Sequence, residues 1–276
     1  MSRVEEASPN CGEEGGRPQP TPVTATIADF FDRWLSTKMV NIGNHVLLIC
    51  TENQGSCDEI MDELRVVVRS HYVAPEITAK RLAELGATAT AEFLREHFPQ
   101  TKKARSGDLG EILATELTER KLGFDVPVRR LRLKDGREMA LRGDDIVAIA
   151  RDPKGRLKFL KGESKSRARL TSTVVKEAAD ALDRDYGRPT RHTVLYIAER
   201  LREYGEDELA LDLETAVLHS FSRNSVDHLL FTVSSNNPDR PLHDHLSRCT
   251  NKSRRHAVGI CIFEHGKFVN RLFSEL

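Results

Sequence analysis

Apolar residues recur along most of the chain from residue 27 onward, either at helical spacing or in short runs. Ile27, Phe30, Phe31 and Trp34 have the spacing of one helix face, and the run 46–50 is typical of a buried strand. The same patterns predict further helices that include residues 60–68, 75–85, 88–97, 106–120, 171–185, 192–203 and 207–221. They predict further strands over residues 124–133, 144–151, 156–165, 229–233, 257–263 and 268–273.

This order of elements predicts an α/β protein with a three-layer core, in which helices flank a mixed central sheet. Residues 1–22 are rich in Gly, Pro and Glu and poor in apolar residues, so we expect a disordered tail there. An N-terminal α/β segment is expected over residues 23–100. The core, with a C-terminal elaboration, is expected over residues 101–276.

The composition is that of a globular protein, with 39% hydrophobic and 30% charged residues. The 42 basic residues equal the 42 acidic residues in number, which excludes a histone-like or strongly acidic protein. No apolar run approaches the roughly 18 residues of a membrane span, and no secretory signal opens the chain. The 5 widely spaced cysteines disfavour a disulfide framework, so we expect a cytoplasmic protein with no membrane association.

A tight hairpin predicts which acidic residues meet. Asp152-Pro-Lys-Gly155 has the residues of a type I turn followed by a left-handed glycine. That turn pairs Asp152 with Arg156 and therefore sets Asp145 opposite Glu163, on the face that Lys165 also shares. Asp144 has the opposite parity, and because a one-residue slip would exchange the two aspartates, Asp145 is the preferred candidate.

Two neighbouring carboxylates repel each other unless a cation joins them, and Mg²⁺ or Mn²⁺ is the cation that oxygen ligands favour. Lys165 beside them could hold a water molecule or stabilise charge on a phosphate. Asp145, Glu163 and Lys165 thus predict a site for phosphodiester hydrolysis. The alternative is an exposed charged cluster, although apolar residues on both faces of the two strands indicate a central position.

Positive charge is concentrated around the same hairpin. Residues 129–169 hold 14 Lys or Arg against 6 acids, a net charge of +8. Such a surface would hold phosphates, so we expect DNA binding with Lys161, Arg167 and Arg169 as contacts. A solvated charged hairpin is the alternative for each of the three.

Three motifs in order resemble those of the PD-(D/E)xK nuclease superfamily. Asp145 matches its first acid, Glu163-Ser-Lys165 matches E-x-K, and Gly107-Asp-Leu-Gly-Glu111 resembles the G-x-x-G-E of many members. Gly143-Asp-Asp145 replaces the leading P-D. The resemblance implies that Asp145, Glu163 and Glu111 bind the metal and that Lys165 completes the catalytic set. On a helical wheel Glu111 lies about 200° from Leu109, and a favourable acid near a helix start is the alternative.

The motifs also resemble those of the HamA family of Hachiman anti-phage systems, over most of the chain. This resemblance implies a metal-dependent DNA endonuclease that acts as the effector subunit of a bacterial defence complex. Its partner would be a HamB-like helicase subunit that restrains the nuclease until infection. The chain has no G-x-x-x-x-G-K-[ST], so any ATP-driven step would come from that partner.

Three alternatives remain open. The first is a restriction or repair nuclease that acts without a helicase. The second is a catalytically silent DNA-binding or scaffold subunit, which should hold DNA equally well in EDTA. The third is a stand-alone nuclease, which would be active in isolation. Residues 39–97 are unlike the superfamily core, and we interpret them as a partner-docking segment.

Overall fold

The computed structural model describes residues 29–134, 136–139, 143–218 and 225–276. The predicted disordered tail lies outside this part of the chain. The described part of the chain contains the strands β1 (Leu35–Ile42), β2 (His45–Glu52), β3 (Ile146–Arg151), β4 (Leu157–Ser166), β5 (Val226–Ser234) and β6 (Arg255–Cys261). Its α-helices are α1 (Phe30–Trp34), α2 (Ser56–Tyr72), α3 (Pro75–His97), α4 (Lys102–Lys121), α5 (Ser172–Gly187), α6 (Arg191–Glu203), α7 (Asp207–Leu218), α8 (Asp239–Ser247) and α9 (His265–Ser274).

The six strands form one mixed sheet in the order β1-β2-β6-β5-β4-β3. The two edge pairs, β1 with β2 and β3 with β4, are antiparallel, whereas β2, β6, β5 and β4 run parallel. The N-terminal strands therefore extend the same sheet that carries the predicted hairpin.

Alternate residues of each strand pack into helices on opposite faces, which gives the three layers. Ala148 and Leu160 lie in a core with α1, α2, α4 and α9. Ile149 and Phe159 face the other way, toward α6 and α7, and the same face of β2 and β5 packs on α5 and α8. This confirms the predicted α/β class with a mixed central sheet flanked by helices.

The hairpin register is confirmed. Ile149 pairs with Phe159 and Ile146 with Gly162, as the turn chemistry requires. The amide of Asp152 donates to the carbonyl of Arg156 at 2.9 Å, and Gly155 takes the expected left-handed conformation at φ 76°. A local turn preference thus sets the pairing of side chains at the far end of the two strands.

Two predicted strands are wrong. Residues 268–273 belong to α9, because Phe268, Val269, Leu272 and Phe273 are all buried at helical rather than alternating spacing. Residues 124–133 form an isolated bridge between Asp125 and Ile149, followed by a 3₁₀ turn at Arg130–Leu133. Pro127, within that stretch, has no amide hydrogen to donate to a strand ladder.

Other differences concern the ends of elements and elements that the pattern did not reveal. Strand β1 was not predicted, because it is an edge strand with mostly exposed residues. Helix α8 was not predicted either. Helix α4 begins at Lys102, with Thr101 as its N-cap, rather than after Ser106. In the part of the chain that the structure describes, no helix is both long and apolar enough to cross a membrane.

Candidate active site

The hairpin brings together the three residues that the sequence predicts at its open end. Glu163 and Lys165 lie on β4 and form an ion pair with each other. Asp145 precedes the first residue of β3, and its Oδ2 accepts a hydrogen bond of 3.0 Å from the amide of Ser164. All three side chains remain partly exposed, at 28%, 16% and 20% for Asp145, Glu163 and Lys165. A substrate could therefore reach them.

Glu111 reaches this site from α4, which packs closely on β4. A side chain at Gly110 would place its Cβ 3.1 Å from the Cβ of Ser166, so glycine permits the close approach. Glu111 and Asp145 both line a cavity of about 270 Å³ at the β3 edge of the sheet. Because Glu111 is nine residues into α4, its interpretation as an acid of the first turns is wrong.

The surroundings of the site raise the pKa of two glutamates, Glu111 and Glu163. Burial raises the pKa of Glu111 to about 8, and the nearby carboxylate of Asp145 acts in the same direction. Burial also raises the pKa of Glu163, again with Asp145 as the next contribution, while Lys165 opposes the shift. Asp145 thus lies within electrostatic range of both glutamates and disfavours the ionised form of each.

Glu116, one turn further along α4, shows how this chain compensates a buried acid that has a structural role. His71 Nε2 lies 2.7 Å from Glu116 Oε1, and Arg120 Nε donates to Oε2 at 2.9 Å. Although burial opposes it, these partners lower the pKa of Glu116 to about 2. Unlike Glu116, Glu111 is a buried acid of α4 whose ionised form the surrounding protein disfavours.

The arrangement of the carboxylates suits a divalent cation that is bound by one or two protein ligands and by water, rather than a metal held by a complete set of protein ligands. Among the described residues, no three His, Cys, Asp or Glu side chains lie close enough together to hold a metal ion. The set Asp145, Glu163 and Glu111 is therefore not assembled as a three-ligand site. Magnesium, however, commonly binds through one or two carboxylates and keeps several waters. The repulsion among these acids is the kind that such a cation relieves.

The sequence did not reveal three further residues of the site. Arg130 Nη1 lies 3.9 Å from Asp145 Oδ1, and His192 and Tyr196 of α6 line the same cavity as Glu111. Arg130 belongs to the stretch that was predicted as a strand. The pair Arg129-Arg130 marks the stretch as basic, but only the turn that replaces the strand brings Arg130 to Asp145.

The structure distinguishes the two adjacent aspartates. Asp144 is buried, its Oδ1 lies 3.3 Å from Lys161 Nζ, and its Oδ2 accepts a hydrogen bond of 2.9 Å from the amide of Thr190. Asp145 lines the cavity instead. The partners of Asp144 are thus structural, which leaves Asp145 as the candidate ligand.

One expected phosphate contact needs correction. Lys161 is 2% exposed, and its ammonium donates to the carbonyls of Arg184 and Arg188 at 3.0 Å each, so it cannot reach DNA phosphates from this position. Arg167 and Arg169 are exposed just after β4. They remain candidates for phosphate contacts, because they are exposed and lie within four residues of Lys165.

We expect Gly110→Val to destabilise the fold by about 1–3 kcal/mol more than Gly107→Val does, because valine at position 110 would overlap β4. Both glycines lie in α4, so the intrinsic cost of valine in a helix is similar for the two variants. Position 107 has no neighbour within 4 Å to obstruct a side chain. Urea unfolding of the two variants measures the difference, and equal stabilities would contradict the close approach of α4 to β4.

Comparison with known proteins gives two findings. The HamA family model matches residues 28–276, which is nearly the whole chain. The Hachiman protein HamA of Bacillus cereus is 32% identical over 112 residues. That alignment covers 41% of this chain and 39% of the relative, so the chain spans about two fifths of the length of the curated protein that it matches.

Proposed function

We propose a function from one premise: this chain belongs to the HamA family. It acts in anti-phage defence as a Mg²⁺- or Mn²⁺-dependent deoxyribonuclease that hydrolyses phosphodiester bonds. The motif resemblance to PD-(D/E)xK nucleases supports the reaction type, and the name of the relative, Hachiman protein HamA, supports the defence role.

The observation that carries the proposal is that Asp145, Glu163 and Lys165 lie together at the open end of the hairpin, while Glu111 of α4 lines the same cavity as Asp145. Asp145 raises the pKa of both glutamates, while the Lys165 ammonium pairs with Glu163. A surface chosen only for stability would not hold acids that disfavour each other's ionisation. Glu111 and Asp145 line one cavity, and the ion pair of Glu163 with Lys165 lies on the neighbouring strand, which together form a chemically coherent site for cleaving a phosphate ester.

Each residue has a distinct part in the reaction. Asp145 would hold the divalent cation, with Glu163 and Glu111 as the other candidate ligands. The cation, when bound, supplies positive charge that offsets the charge developing on the phosphate. Lys165 orients the attacking water and donates hydrogen bonds to it, and Glu163 fixes the direction of the lysine ammonium. Arg130 offsets part of the negative charge of Asp145.

DNA would approach over the exposed end of β4. Arg167 and Arg169 would bind backbone phosphates there, and the affinity would fall as salt rises, because each neutralised phosphate releases counterions. A helicase subunit of the same defence system would deliver or withhold the DNA. Residues 39–97 include α3, a mostly exposed helix in which the side chain of Thr90 is buried. Because β2 and α2 pack into the core, α3 is the part of this range that is available for that partner.

Plasmid cleavage tests this function. The purified chain is incubated with supercoiled plasmid in Mg²⁺, in Mn²⁺ and in EDTA, each with and without the helicase subunit. We expect nicked or linear DNA with either metal and intact plasmid in EDTA. Cutting that needs the helicase would show a latent enzyme. If plasmid stays intact under every condition while DNA is still bound in EDTA, the chain is a silent DNA-binding subunit and the proposal fails.

A further inference from the structure

The end of α5 holds an unusual backbone conformation beside the candidate site. Asp185 and Tyr186 are consecutive non-glycine residues in the left-handed region, at φ 54° and 59°. Side chains with a Cβ disfavour this region, and two such residues in succession are uncommon. Conformations of this kind persist only where the surrounding structure enforces them, and they concentrate at functional sites.

Buried polar groups enforce this conformation. Lys161 donates to the carbonyls on both sides of the segment, those of Arg184 and Arg188, at 3.0 Å each. His228, which is fully buried, donates from Nε2 to the carbonyl of Gly187 at 2.8 Å. A Cβ at Gly187 would lie 3.1 Å from the His228 ring, so the segment also fits closely against β5.

The adjacent Asp144 completes this support. Its carboxylate pairs with Lys161 and also accepts from the amide of Thr190, just after the segment. Two residues from the hairpin motifs that do not enter the candidate active site, Asp144 and Lys161, therefore act together to hold residues 184–190 in place. These buried hydrogen bonds give the backbone of the segment a defined position.

The result of this support is an aromatic ring directed into solvent. Tyr186 is 82% exposed, more than any other large apolar side chain in the described residues. The segment is also close to the candidate site, since Arg184 lies within electrostatic range of Glu163. Lys161, which anchors the segment, lies two residues before Glu163 on the same face of β4, a separation of about 7 Å.

We propose that Tyr186 stacks on an unpaired base of the DNA next to the bond that is cut, so that the preferred substrate is single-stranded or locally unpaired DNA. An exposed ring on a backbone that is held in place beside a phosphodiesterase site offers a surface for the face of a base, and Arg184 adds a positive charge for the neighbouring phosphate. The bases of an intact duplex are already stacked and cannot accept the ring. This inference rests on the proposed nuclease function.

Binding of 2-aminopurine oligonucleotides tests the stacking. The probes are a 15-nucleotide single strand that carries the fluorescent base and its duplex form, measured with Mg²⁺ in a Glu163→Gln background so that neither is cut. Tyr186→Asn removes the ring, and asparagine tolerates the left-handed conformation, so the fold should persist. We expect the affinity for the single strand to fall about 5- to 150-fold, the effect of one stacked base. Duplex affinity should stay within about twofold, because the duplex offers no base face to lose.

Three comparisons make the result specific. Tyr186→Phe keeps the ring and should retain both the affinity and the quenching of 2-aminopurine. Tyr204→Asn alters another exposed tyrosine, which follows the C-terminal end of the 13-residue α6, a helix about 20 Å long, and should change neither. Since Tyr186 has no charge, the salt dependence of binding should be unaltered by Tyr186→Asn.

The outcomes separate this inference from the nuclease proposal. If wild type cuts plasmid in a metal-dependent way but Tyr186→Asn binds the single strand as tightly as its background does, the stacking role is overturned and the nuclease function stands. If Tyr186→Phe loses affinity as Tyr186→Asn does, the ring is not the binding element. If the unaltered chain binds no DNA by itself and cuts none even with the helicase subunit, both proposals fall.

Discussion

We expect Glu163→Gln and Lys165→Ala each to reduce DNA cleavage by about 10²- to 10³-fold or more, while the protein stays folded. The expected loss is large because each variant removes a charge that acts on the reacting phosphate or water, where a single preorganised group has an effect of this size. The folded state should tolerate both changes. Glu163 and Lys165 pair mainly with each other and are partly exposed, so we expect stability to change by no more than about 1 kcal/mol.

The measurement is the initial rate of plasmid nicking with Mg²⁺, together with a urea unfolding curve for each variant. Lys176→Ala is the matched control, because Lys176 forms an exposed ion pair with Asp180 on α5, away from the cavity. The control should cut at the wild-type rate. Cleavage by a folded Glu163→Gln variant at the rate of the control would refute the assignment of Glu163.

Asp144→Asn and Asp145→Asn should have opposite effects, although the two residues are adjacent. Asp144→Asn leaves the Lys161 ammonium in a buried position without its carboxylate, and we expect a loss of about 3–5 kcal/mol in the free energy of unfolding. Asp145→Asn removes a candidate metal ligand at a partly exposed position. It should abolish cleavage, with a far smaller effect on stability.

Unfolding curves and cleavage rates of the two variants, measured side by side, check this contrast. The cleavage rate of Asp144→Asn should be measured at a temperature at which the variant is still folded, so that unfolding is not mistaken for a loss of catalysis. A stable, inactive Asp144→Asn variant beside a fully active Asp145→Asn variant would reverse the assignment and show that Asp144 is the ligand.

Local chemistry made part of the site predictable from the sequence. The turn residues of Asp152-Pro-Lys-Gly155 set the register, and the register placed Asp145 beside Glu163 and Lys165. The alternation of side-chain direction along β4 and the spacing of apolar residues along α4 are also local patterns, and both could therefore be predicted from the sequence. Glu111 is different: the resemblance to known nucleases suggested it, whereas its position on the helical wheel argued against it.

Contacts between distant parts of the chain decided the remainder. Lys161 belongs to the basic stretch 129–169, which suggested a phosphate contact, but its ammonium is buried and donates to the carbonyls of Arg184 and Arg188. The pattern of apolar and polar residues over 268–273 is compatible with either a strand or a helix. Packing in the core between α4 and α9 favoured the helix. Arg130 reached Asp145 because residues 130–133 turn rather than extend.

The sequence by itself therefore determined the fold class, the hairpin and the three side chains that the hairpin gathers, since each follows from spacing and turn chemistry along a short stretch of chain. Only the tertiary structure decided which of the two aspartates enters the cavity, that Glu111 joins Asp145 there, and that Lys161 supports Tyr186 instead of contacting solvent. The physical reason is burial: whether a charged side chain is free for chemistry depends on partners that lie many residues away, and the local pattern carries no information about them.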